Sequence, residues 1–148
     1  MGLEAYSVSI DFIHPVSKNI VFNELIKLGY VVSEDSLNFI YLEKAYNFGY
    51  IEVALRNEEN NNQDVKDVFI RIAKPNHENI IDYFIADLSA FNKNIPITII
   101  NLQSKEKVDL CDYSGLKEHF INTQREFKKY YPKPTYPIRC NDVFKSDG

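Results

Sequence analysis

The chain has 148 residues, 45% of them hydrophobic and 26% charged, and a formal net charge of -4. That length can bury a core without disulfide or metal support, and the acidic balance argues against non-specific nucleic-acid binding, which rests on neutralising phosphates. With five glycines and neither G-x-G-x-x-G nor G-x-x-x-x-G-K-[ST], phosphate-cradling loops are not expected.

Taken in chain order, Tyr6, Val8, Ile10 and Phe12 alternate with Ser7, Ser9 and Asp11, which predicts a half-buried strand ended by His14-Pro15. Ser17 is placed to cap a helix carrying Val21, Leu25 and Leu28 at helical spacing, and Gly29 stops it. A second strand begins at Tyr30, bends through Ser33 to Ser36 and resumes from Leu37 to Leu42. Lys44 to Gly49 reads as a hairpin loop. Tyr50 to Arg56 is another alternating strand, with Ile51, Val53 and Leu55 on one face. The polar, aperiodic run from Asn57 to Asp64 is a solvated loop.

Val65 to Ala73 is the next strand, and Asn76 is the expected cap of a helix with an apolar stripe of Ile80, Ile81, Phe84, Ile85 and Leu88. Ile95 to Leu102 and the short Val108 to Leu110 are strands. Asp112 or Ser114 opens a last helix, with Leu116, Phe120, Gln124, Phe127 and Tyr131 along one side. The prolines from Pro132 onward forbid helix, so residues 132–148 are expected as an extended tail.

The order is β-α-β-β twice, then a helix. Short links between consecutive strands make those pairs antiparallel. The expectation is therefore a single α+β domain over residues 1–131, with a mainly antiparallel sheet from two β-α-β-β units and helices packed on one face. Residue identities between the two passes are too few to separate a duplication from ordinary recurrence of α+β elements.

Catalytic and metal-binding patterns are weak. His14, His77 and His119 lie on separate elements with no H-x-x-x-H or C-x-x-C spacing, so no metal or other cofactor is expected. Cys111 and His119, two turns apart on or beside one helix, are about 12 Å apart by helical rise and cannot form a nucleophilic pair. The carboxylate pairs Glu34-Asp35 and Glu58-Glu59 fall in polar segments without apolar walls to raise a pKa. The chain is therefore expected not to be an enzyme. Cys111 and Cys140, with no signal-peptide pattern and no membrane-length apolar run, read as reduced cytoplasmic thiols. Tyr41, Tyr50, Arg56 and Arg71 could offer nucleic acid a small sheet-face platform, but Glu43, Glu52 and Asp67 oppose it.

Protein recognition fits the composition better. Residues 125–148 carry Arg125, Lys128, Lys129, Lys133, Arg139 and Lys145 against Glu126, Asp142 and Asp147, leaving an acidic body with a basic tail. The candidate partner-binding residues are Glu34, Asp35, Tyr41, Glu43, Tyr50, Glu52, Glu58, Glu59, Asp64 and Asp67. Tyrosine supplies contact area at low entropic cost, and carboxylates steer a basic partner.

The opening MGLEAYSVSIDF, followed by an acidic helix-and-hairpin body rich in asparagine and isoleucine, resembles small bacterial immunity proteins. The resemblance implies a stoichiometric inhibitor that neutralises a cognate toxin, for instance a nuclease, by covering a basic surface. It carries over no functional residue. The alternative expectation is a small-molecule-binding domain with a cleft between the two β-α-β-β halves.

Overall fold

The computed structural model describes residues 4–56, 64–65, 68–131 and 136–144. Its strands are β1 (Ala5–Phe12), β2 (Val31–Asp35), β3 (Phe39–Tyr46), β4 (Gly49–Arg56), β5 (Val68–Ala73), β6 (Ile97–Asn101) and β7 (Glu106–Lys107). The helices are α1 (Lys18–Lys27), α2 (Ile80–Asn94) and α3 (Ser114–Tyr130). The described strands form one sheet in the order β2-β3-β4-β5-β1-β6-β7, and every neighbouring pair is antiparallel. The fold is α+β.

Residues directly opposite in an antiparallel pair share a face, so the register defines rows across the sheet. One row runs Leu42, Val53, Ile70, Val8 and Asn101, all buried. These residues, Asn101 apart, join Val21 and Leu25 of α1, Phe84 and Leu88 of α2, and Leu116 and Phe120 of α3 in one apolar cluster. The three helices thus cover the same face. The neighbouring row, Glu43, Glu52, Arg71 and Ser7, points the other way.

Helix α1 follows its sequence signals. The Ser17 hydroxyl accepts from the Ile20 N–H at 3.4 Å, and Gly29, at φ 101°, ends the helix. Gly29 N–H donates to the Ile26 carbonyl and Tyr30 N–H to that of Leu25, which satisfies two of the helix's terminal carbonyls. The apolar stripes of α2 and α3 are buried as expected, at Ile80, Ile81, Phe84 and Leu88 and at Leu116, Phe120 and Phe127.

Six expectations need correction. Val108 to Leu110 is not a strand, because the short strand after β6 is β7 at Glu106–Lys107. The hairpin loop read from Lys44 to Gly49 is shorter, because β3 continues to Tyr46 and β4 begins at Gly49. The bent strand from Tyr30 to Leu42 is a hairpin, because the Ser36 hydroxyl accepts from Phe39 N–H and donates to the Phe39 carbonyl, reversing the chain at Leu37-Asn38. The two passes do not form separate halves: β1 lies between β5 and β6, so the first strand of one is inserted between strands of the other. A cleft between halves therefore has no place in this sheet. Asn76 does not cap α2, whose N-cap is Asn79. The chain after α3 is no simple extended tail, because Cys140–Asp142 form a 3-10 turn and Cys140 and Val143 are buried with Ala5, Ala73 and Phe127.

Candidate functional site

The open face of the sheet carries a groove of about 990 Å³. Strands β3, β4, β5 and β1 supply Tyr41, Glu43, Glu52, Ala54, Phe69, Arg71 and Ser7, and the β2 edge supplies Ser33 and Glu34. Arg139 and Asn141, from the segment after α3, close one side. This segment, Tyr136–Phe144, has to be explained first, because without it the face is a bare sheet.

Its anchor is Asn76, fully buried in the turn before α2. The Asn76 amide donates to the Ile138 carbonyl at 2.9 Å and accepts from Ile138 N–H at 2.8 Å, which copies the pairing of a strand neighbour. The amide is backed by Gln124 of α3, which donates to the Lys74 and Asn76 carbonyls. Gly49 leaves the room required: a Cβ there would lie 2.9 Å from Asn76 Cγ. Burial raises the Cys140 thiol pKa strongly, with the neighbouring Glu52 carboxylate adding to it, so the thiol stays protonated.

Electrostatics complete the docking. Glu43 and Glu52 sit directly opposite each other on β3 and β4, a like-charge pair that alone is destabilising. Arg139 relieves Glu43 with a two-point contact, Nε to Oε2 at 2.7 Å and Nη2 to Oε1 at 2.8 Å. Its guanidinium lies 4.3 Å from the Tyr50 ring centroid. The hydrogen bonds to Glu43 push the Arg139 pKa further up, so the guanidinium stays charged. Glu52 accepts from Cys140 N–H at 3.0 Å and from Arg71 Nη2 at 3.4 Å, and Arg71 also donates to Asn141 Oδ1 at 3.2 Å. Arg139 of the tail and Arg71 of β5 therefore each engage one carboxylate of the open face.

Of the residues expected to bind a partner, Glu34, Tyr41, Glu43 and Glu52 line this one groove. Glu43 and Glu52 are engaged by the chain's own arginines, whereas Glu34 has no ion-pair partner among the described residues. Tyr50 shares the open face as the platform beneath Arg139. Asp35 pairs with Ile40 in the register and so belongs to the opposite face. Asp64 is remote, bridged to Ser17 before α1. Glu58, Glu59 and Asp67 lie outside the described residues. Sequence reasoning missed Phe69, Arg139 and Asn141 as groove residues. The basic composition of the tail was the one signal that pointed toward Arg139.

The histidines do not converge. His119 Nδ1 lies 2.8 Å from the Tyr6 hydroxyl and 3.0 Å from Asn101 Nδ2 on the helix-covered side, while His77 Nδ1 accepts from Asn79 N–H. Among the described residues no three His, Cys, Asp or Glu side chains are grouped to hold a metal ion, and no helix is long and apolar enough to cross a membrane. Comparison with protein-family models, curated proteins and solved structures finds no match for this chain, so its function is read from this geometry.

Proposed function

We propose that this chain is a stoichiometric protein-binding inhibitor of the immunity type, acting in the cytoplasm by covering a basic surface of a bacterial toxin with the open face of its sheet. The observation that carries this reading is the groove itself. All three helices pack on the other face, leaving Tyr41 and Phe69 to offer aromatic contact area beside the Glu34 carboxylate. Such a surface suits recognition, in which aromatic anchors supply affinity and the rim charge supplies steering.

The test begins with affinity capture from a lysate of the source organism and continues with an activity assay of what is captured. Activity is expected to fall to zero at one chain per captured molecule. Glu34→Lys is expected to slow association and flatten its salt dependence, and Tyr41→Ala to speed dissociation. A captured protein whose activity is untouched by excess chain overturns the reading.

The groove volume also favours a second reading, a small-molecule site, because ligand pockets fall in the range of roughly 300–1,000 Å³. Saturable thermal stabilisation by a metabolite, lost in Arg71→Ala, would select it.

A further inference from the structure

The sheet has two edges, and they are built differently. At one end β7 is two residues long and follows Lys105 at φ 63°, a turn that ends the pairing surface almost at once. At the other end β2 offers five consecutive residues, each exposed to solvent, with Val31 at 60% and Val32 at 46%. Leu37, at the tip of the hairpin that follows, is 90% exposed. Exposed edges template the addition of another strand, and proteins blunt them with short length, charged side chains, bulges or a covering element. The β7 edge is blunted by its length and by Lys107, whereas β2 carries no lysine or arginine at all.

What β2 does carry is a bulge and negative charge. The register slips between Val32 and Glu34, so Ser33 is the extra residue, and its hydroxyl donates to the Tyr41 carbonyl of β3 at 3.1 Å. The bulge keeps the edge attached and puts Val31 and Glu34 on the open face, opposite Glu43 and Tyr41, where Glu34 also forms the groove rim. A strand laid along β2 would thus extend the open face continuously.

We infer that β2 is a strand-addition site for the basic partner, whose main chain pairs along Val31–Asp35 and whose lysine or arginine side chains meet Glu34. This rests on the protein-binding reading above and names its mode. Charge selects the occupant. Pairing with a second copy of this chain would add a second Glu34 carboxylate to the ribbon and bring no lysine or arginine from either strand. A basic strand meets the same edge with opposite charge, and main-chain hydrogen bonds supply affinity while alternate side chains supply selectivity.

The experiment uses the full chain, labelled with 15N, and a capped synthetic nonapeptide of alternating lysine and valine. Amide shifts are expected to concentrate at residues 31–38. Affinity should fall about tenfold when alternate peptide nitrogens are methylated to remove the pairing donors. It should fall as steeply for the glutamate–valine peptide, and about threefold for Glu34→Lys. Shifts mapping elsewhere, equal binding of the methylated peptide, or no binding would overturn the assignment. So would shifts at 31–35 that grow with protein concentration alone, which would mean self-pairing. Because no native partner is needed, a failed peptide titration removes the strand-addition mode while the neutralisation assay still decides the protein-binding reading.

Discussion

The two faces of one sheet are made by alternate residues of the same strands, yet they are held together by different physics. On the helix-covered face, Ile51, Val53 and Leu55 of β4 are buried against helix residues such as Phe84. On the open face, Tyr50, Glu52, Ala54 and Arg56 of the same strand are half-buried, and Glu52 is tied by a hydrogen bond to Cys140, 88 residues away. Apolar burial is additive and tolerant of detail, whereas the open face depends on a few specific pairings. Damage to the first face should therefore appear as lost stability, and damage to the second as lost order of one segment or lost binding.

The largest expected effect is on the covered face. Phe84→Ala leaves a cavity at the centre of the helix layer and should cost about 3–5 kcal/mol in urea unfolding. Asn76→Ala comes next. It removes both hydrogen bonds to Ile138 and strands a half-buried carbonyl and N–H, at a cost of about 1–2 kcal/mol. It should also let a thiol reagent reach Cys140, whereas in the parent chain exposed Cys111 reacts at once and Cys140 only on unfolding.

Alkaline pH probes the covered face by another route. Burial raises the Tyr6 and Tyr30 phenol pKa values above the ordinary 10.0, and for Tyr30 the hydrogen-bonded Asp87 carboxylate adds to the effect. A folded-state pKa above the unfolded value means the folded chain holds its proton more tightly. That stability is complete below pH 10 and is lost as pH rises beyond it. Urea midpoints should therefore fall above pH 10, and less steeply in Tyr30→Phe.

Smaller effects belong to the open face. A double-mutant cycle on Glu43 and Arg139, both to alanine, should give a coupling of about 0.5–1 kcal/mol that shrinks in high salt, because Arg139 is partly exposed. Smallest of all, Glu34→Lys should change stability by less than about 0.5 kcal/mol, since Glu34 is exposed on an edge strand. The proposed role of Glu34 places its consequence in association rather than in stability.

Much of the covered face was legible because period-two and period-3.6 patterns report burial directly. Tyr6 to Phe12, the Ser17 and Gly29 boundaries and the α2 and α3 stripes all read correctly. The hairpin at Ser36 did not, because a serine hydroxyl closing a turn leaves no mark in hydrophobic periodicity. Asn76 looked like a helix cap, since an asparagine before an apolar stripe has that local meaning; its actual bond is to Ile138, 62 residues away. On the open face, composition pointed to Glu34, Tyr41, Glu43 and Glu52, which line one groove, but the Arg139–Glu43 pair depends on the fold of the tail and the Arg71–Glu52 pair on strand register.

The order of synthesis gives the docked segment a further meaning. Residues 138–141 bind Glu43, Glu52, Arg71 and Asn76, groups that precede them by 62 to 96 residues. Translation therefore delivers the sheet with its acidic face bare, and the groove wall arrives only when Arg139 and Asn141 have left the ribosome. A nascent chain arrested before Ile138 would have its strands but not its finished surface. Completion of the groove therefore waits for Arg139 and Asn141, so that only a chain synthesised through Asn141 presents it.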